Sequence, residues 1–258
     1  MSKLRSELPR LTFLSLLLFA IPATPEDAPK RIRVLIVTGN DVGPHDWRAT
    51  TPVTRAILED TKRFEVFVSE EPSVLETSAL AKYDLLVLNY QNPPEDKLSE
   101  AAQKNLVSFL KSGKGLVAIH FVVNAWGDWP EFSKIIGRVW AGRRTGQGEK
   151  VSGHGPRGPF KVRVTAKENP IVQGLGDFEA DDELYARLVG DAPIETLATA
   201  YSADYSQKDE PMAWTLHYAE GRVFVTVLGH DARARENLSF KKLLTQGSEW
   251  AATGKVAR

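Results

Sequence analysis

Short apolar runs alternate with amphipathic stretches along the first half of the chain. "RIRVLIVTG" (31–39) and "YDLLVLNY" (83–90) are apolar on both faces, the pattern of strands buried within a parallel sheet. "FEVFVSE" (64–70) alternates as a half-covered strand does. "ATTPVTRAILED" (49–60) predicts a helix capped by Thr50 or Thr51, with Pro52 in its first turn. "SEAAQKNLVSFLKSGKG" (99–115) predicts a second helix, with Ala102, Leu106, Phe109 and Leu110 on one face and Gly113 as its stop. "KGLVAIHFVV" (114–123) then reads as a buried strand over 115–121 that carries one polar residue, His120.

This alternation implies an α/β fold whose mostly parallel central sheet is flanked by helices. Such sheets bind ligands beyond the carboxyl ends of their strands. Those ends are Gly39 onward, Asn89–Tyr90 and His120. The second half is richer in loops. A glycine-rich stretch over 140–160 precedes a strand (159–166), and 211–231 reads as a hairpin turning at Glu220–Gly221. The hairpin's second strand delivers "GHD" at its end, and a helix over 236–252 closes the chain. With no repeat and no linker, one domain is expected over 31–254.

Composition narrows the functions. The chain has 258 residues, 42% hydrophobic and 26% charged, within the range of a globular protein. Its 33 basic and 33 acidic residues cancel, which gives no electrostatic footprint for nucleic acid. Cysteine is absent, so disulfides, thiolate nucleophiles and cysteine metal sites are excluded. At the N-terminus Lys3, Arg5 and Arg10 precede the apolar "LTFLSLLLFAIPA" and the polar "TPEDAPKR". That order predicts a secretory signal peptide and short linker over 1–28, too short for a membrane span, and an exported, periplasmic or secreted mature chain without stable membrane insertion.

Three of the five histidines follow predicted strands: His45 in "GNDVGPHDW", His120, and His230 in "LGHD". Parallel neighbouring strands would gather them at one sheet edge, with His154 of "SGHGP" on the loop above. Imidazoles and carboxylates at a crevice suit a divalent metal such as Zn²⁺, or proton transfer near neutral pH. Each histidine alone is equally well explained as a core or capping residue bonded to backbone. A shared metal requires close approach, because Zn–N bonds are about 2.0–2.1 Å. His45, His120, His154 and His230 are the candidate ligands, with His120, His230 and Glu183 as candidate catalytic groups. Asp46, Trp47, Trp126, Tyr185 and Asp231 are candidate substrate contacts, since aromatic faces beside polar groups suit sugar rings. By spacing alone "DDELYARL" (181–188) reads as a helix cap with solvated acids. His217, alternating with Trp214, Leu216 and Tyr218, reads as exposed and structural.

In order and spacing, "VLIVTGNDVGPHDWRATTPV", "YDLLVLNY", "SGKGLVAIHF", "SGHGPRGPFKVRV", "NPIVQGL", "DDELY" and "GRVFVTVLGHD" resemble the trehalose-utilisation (ThuA-like) family across 33–252. The resemblance implies a flavodoxin-like fold akin to class I glutamine amidotransferases. It also implies a connection with trehalose-type disaccharides, glycosides or their 3-keto derivatives. In amidotransferases the turn after the equivalent strand carries a nucleophilic cysteine, and a histidine follows a later strand. Here His120 and His230 take those places, so thiolate amide hydrolysis is ruled out. Three functions follow as expectations: a metal-assisted sugar hydrolase, lyase or isomerase; a non-catalytic carbohydrate-binding protein; or a scaffold domain on the same fold.

Overall fold

Strand β1 (Ile32–Val37) is flanked by β2 (Phe64–Ser69) and β3 (Leu85–Leu88), both parallel to it. Strand β4 (Gly115–Ile119) continues the parallel array beside β3. All five residues of β4 are buried, as are all four of β3, which explains their unbroken apolar sequences. The structure, a computed structural model, describes residues 30–93, 95–142 and 151–257. The expected signal peptide and residues 143–150 of the glycine-rich stretch lie outside the described residues. From residue 31 onward the chain forms one compact unit. No helix among the described residues is long and apolar enough to cross a membrane.

The nine-stranded sheet is completed by β6 (Gly158–Val164), β7 (Phe178–Asp182), β9 (Glu195–Ser202), β10 (Lys208–Tyr218) and β11 (Gly221–Thr226), while β5 (Gly153–His154) and β8 (Tyr185–Ala186) pair as a separate ribbon. Its order is β2-β1-β3-β4-β11-β10-β9-β6-β7. The first five strands are parallel, in the 2-1-3-4-5 order of a flavodoxin-like sheet with β11 as the fifth. The α/β fold and parallel core therefore agree with the sequence. The antiparallel half, β10 to β7, extends that core through the hairpin that turns between Tyr218 and Gly221.

Helices α1 (Trp47–Glu59), α2 (Glu100–Lys111), α3 (Pro130–Ile136), α4 (Ala232–Arg235) and α5 (Leu238–Thr253) flank the sheet. Ser99 caps α2, and its buried face is Ala102, Leu106, Phe109 and Leu110, as the periodicity predicts. Helix α1 starts earlier than expected. Asp46, not Thr50 or Thr51, caps it by accepting the Ala49 N–H at 3.1 Å, which leaves Pro52 inside the helix on its exposed side. Thr50 and Thr51 are buried instead and receive hydrogen bonds from Asn89 at 3.2 and 3.0 Å. The "DDELY" segment also differs: it is no helix start. Asp182 ends β7 and Tyr185 opens β8, so Asp182 and Glu183 turn inward, while Asp181 stays half-exposed and pairs with Arg157 and Arg233. His217 is exposed on β10 and packs edge-on to Trp250.

Candidate functional site

His120 is the first residue beyond β4, where the chain tightens into a 3₁₀ turn (His120–Asn124). It adopts φ +50°, a left-handed conformation uncommon outside glycine, held by packing on every side. Pairing of Ile119 with Thr226 places Val227 beside it. The Val227 carbonyl lies 2.6 Å from His120 Nδ1. A carbonyl only accepts, so Nδ1 carries a proton, and in the neutral ring Nε2 presents its lone pair. His230 follows β11 by four residues, and its Nδ1 lies 3.3 Å from His120 Nε2.

Glu183 completes a triangle. Its Oε2 is 3.1 Å from His230 Nδ1 and 3.6 Å from His120 Nε2. His45, from the loop after β1, joins from above, its ring stacked on Phe121 at 4.7 Å. The His45 ring centre is 5.2 Å from that of His120 and 5.0 Å from that of His230. His45, His120, Glu183 and His230 each offer a ligand atom within 4.8 Å of the others. The three histidines that follow strands thus meet at one sheet edge.

Electrostatics divide their roles. Burial, reinforced by the nearby imidazoles, pushes His45 down to about 3, so it is neutral at pH 7. Burial opposes the Glu183 charge, but the neighbouring His120 and His230 imidazoles outweigh it and hold the carboxyl well below its usual range. Burial likewise opposes a charged His230, yet the Glu183 hydrogen bond and charge raise it. Tyr185, buried against His120 with ring centres 4.3 Å apart, has its phenol pushed up by burial and keeps its proton. Its hydroxyl lies 3.2 Å from His45 Nε2.

Other candidates fall outside this group. His154 pairs with Tyr185 across the β5–β8 ribbon and bonds its own neighbour's carbonyl, Gly155 O, at 2.8 Å. Its Nδ1 comes within 3.8 Å of Glu183 Oε1, beside the four ligand atoms rather than among them. Glu183, expected from the sequence as a catalytic group, stands in this cluster where His154 was expected. Asp46 caps α1, and Asp231 caps α4 while gripping Arg157 at 2.8 Å. Trp47 and Trp126 are 7% and 2% exposed, packed into the protein rather than presented as sugar platforms. Phe121 and Trp140, which frame His45 and Tyr185, are not among the residues expected from the sequence; Phe121's place directly after the strand-end histidine is the signal for it. A groove of about 670 Å³ between α1 and α5, lined by Val53, Ile57 and Thr245 among others, includes none of the four clustered residues.

The match to the family model "ThuA: Trehalose utilisation" spans residues 33–251. The chain belongs to the ThuA family. It is similar to a protein described as ThuA-like from Parabacteroides merdae, with 29% identity and a TM-score of 0.77 over 89% of this chain and 92% of that one. A second protein so described, from Bacteroides uniformis, has 17% identity and a TM-score of 0.70 over 92% and 97%. A glutamine amidotransferase from Thermotoga maritima shares the fold, with 14% identity and a TM-score of 0.50 over 87% and 99%. No curated protein matches the chain. The ThuA family and its amidotransferase-like fold thus agree with the resemblance read from the motifs.

Proposed function

We propose that this ThuA-family protein is an exported, metal-dependent enzyme acting on disaccharides, glycosides or their 3-keto derivatives. The observation that carries the metal is the triangle of His120 Nε2, His230 Nδ1 and Glu183 Oε2, with sides of 3.1, 3.3 and 3.6 Å. Four ligands on a tetrahedral ion with bonds of about 2.0–2.1 Å lie about 3.3 Å apart. Two details of the chain fit the same ion. The Val227 carbonyl fixes the His120 tautomer, as outer partners do for metal-bound imidazoles. His45 Nδ1 is buried and has no hydrogen-bond partner among the described residues. Three imidazoles and one carboxylate suit Zn²⁺ or a similar divalent ion.

Such an ion supplies Lewis-acid polarisation of substrate carbonyl and hydroxyl oxygens. The residues around it supply the rest. His154 is outside the ligand group and partly exposed, which suits it to carry protons between the site and solvent. Tyr185 keeps its phenolic proton as a donor, and Phe121 and Trp140 exclude water from the inner side. The sugar substrate rests on the family alone, and export on the charged, apolar, polar order of residues 1–28.

Metal analysis of the purified protein, followed by assays on keto-disaccharides and glycosides with and without chelator, tests this reading. One divalent ion per chain and chelator-sensitive turnover are expected. A protein that takes up no Zn²⁺, Mn²⁺ or Co²⁺ would overturn it.

A further inference from the structure

Glu183 and His230 touch, yet nothing in the sheet aligns them. Glu183 follows β7 at the far edge, and three strands, β10, β9 and β6, lie between β7 and β11. Ladder hydrogen bonds therefore do not pass register directly from one residue's strand to the other's. A contact outside the ladder has to set it.

We propose that Asp182 is the positioning residue that holds Glu183 and His230 together, by gathering their backbone N–H groups onto one buried carboxylate. Asp182 Oδ1 accepts from Glu183 N at 2.9 Å and from His230 N at 3.1 Å. Oδ2 accepts from Gly229 N at 2.6 Å. The side chain is 2% exposed, and among the described residues no Lys, Arg or His forms an ion pair with it. Three oriented N–H groups hold the carboxylate, each bond charge-assisted and about twice as strong as a neutral one.

The opposite side of the same turn is also tied down. Gly229 has φ +96°, and its carbonyl accepts from Arg235 Nε at 2.9 Å. The residue before His230 is thus held at its N–H by Asp182 and at its carbonyl by Arg235. Removing the carboxylate leaves three buried donors unpaired and frees the β7 end from the β11 end. Asparagine is nearly isosteric, but its NH₂ cannot accept, so at least one N–H loses its partner. Outer residues that orient metal ligands are worth about 10–100-fold in metal affinity.

The inference rests on the metal reading for one arm of its test and is independent of it in the other. In metal-free protein, amide hydrogen exchange at Glu183, Gly229 and His230 should share a common protection factor, within about threefold. In Asp182→Asn those three amides should lose at least about tenfold in protection, while amides of β1 and β3 keep theirs. Titration with Co²⁺, followed by its visible absorption, should show Asp182→Asn binding about 10–100-fold more weakly with an altered spectrum. Leu110→Ala is the control for mere loss of stability. It is buried in α2 beside Gly221, at the end of the sheet away from the histidines, and should bind Co²⁺ like wild type.

A folded Asp182→Asn that keeps wild-type exchange and wild-type Co²⁺ affinity would overturn the inference. If wild type takes up no Co²⁺, the metal reading fails by itself and the exchange arm still decides Asp182. If Asp182→Asn does not fold, the wild-type protein decides: independent protection of the three amides overturns the shared anchor.

Discussion

His120 Nδ1 donates to the carbonyl oxygen of Val227 at 2.6 Å, so the strand pair β4–β11 fixes which nitrogen of the ring faces the site. The ring is oriented by the sheet itself, not by a flexible side chain. Replacing His120 with Ala removes one corner of the ligand triangle. Metal affinity should fall by more than about 100-fold, beyond the loss caused by an outer partner. His120→Asn should lose metal equally but melt higher than His120→Ala, because Asn tolerates φ +50° better. Calorimetric titration and thermal melts of both variants check this; equal melting would show that backbone strain at this position is negligible.

Metal binding should release a proton. Glu183 raises the pKa of His230 despite burial, and a ligating imidazole must be neutral. Affinity should therefore fall as pH drops through the raised His230 value, by up to about tenfold per pH unit. Titrations in two buffers of different ionisation enthalpy count the protons. No buffer dependence would contradict the assignment of His230 as a ligand.

Without metal, acid should destabilise the fold. His45 is held near 3 against an ordinary 6.5, so between those values the unfolded chain binds a proton that the folded chain does not. Stability then rises with pH across that window and is lost as pH falls. Glu183, also lowered, adds to the loss below its ordinary 4.5. His230 acts in the opposite sense, its contribution being lost as pH rises through its raised value. Urea midpoints of metal-free protein should fall from pH 6.5 to pH 4, and His45→Phe should flatten that slope.

Gly39, at the exit from β1 toward His45, tolerates no side chain. It has φ +123°, and an added Cβ would stand 1.7 Å from the Glu70 carbonyl oxygen. Gly39→Ala should destabilise by on the order of 3 kcal/mol, since backbone must move. Chemical denaturation measures it; a change below about 1 kcal/mol would mean that the strand ends shift freely.

Arg235 is fully buried, and its hydrogen bonds among the described residues go to neutral acceptors: Gly229 O, Thr50 O, Thr54 Oγ1 and Asn89 Oδ1. Burial lowers its pKa to about 9. Arg235→Met should cost about 3 kcal/mol or more, because those acceptors lose their donors, at least three of them in the interior. A melt unchanged by the substitution would show that water replaces the guanidinium without penalty.

The parallel core was legible because buried strands write themselves as continuous apolar runs, and "LLVL" and "GLVAI" do so plainly. The meeting of His45, His120 and His230 was legible too, since all three follow parallel strands. Glu183 as a partner of those histidines was not. It arrives from an antiparallel edge strand, and "FEADD" alternates too weakly, beside a run of acids, to separate a strand end from a helix cap. The burial of Trp47 and Trp126 was not legible for a related reason: position along the chain does not report which way an indole packs. Asp46 showed the same ambiguity, because a carboxylate before a helix serves equally as a cap or a ligand contact.

The four clustered side chains come from positions 45, 120, 183 and 230, which spans nearly the whole described chain. Most of that separation is bridged only after the hairpin of β10 and β11 has docked against β4. Such long-range closure is slow relative to local helix formation. Uptake of the proposed ion should therefore report the last stage of folding: in stopped-flow refolding, helical signal should return first, and the Co²⁺ spectrum should follow only when the segments carrying His45 and His230 have met.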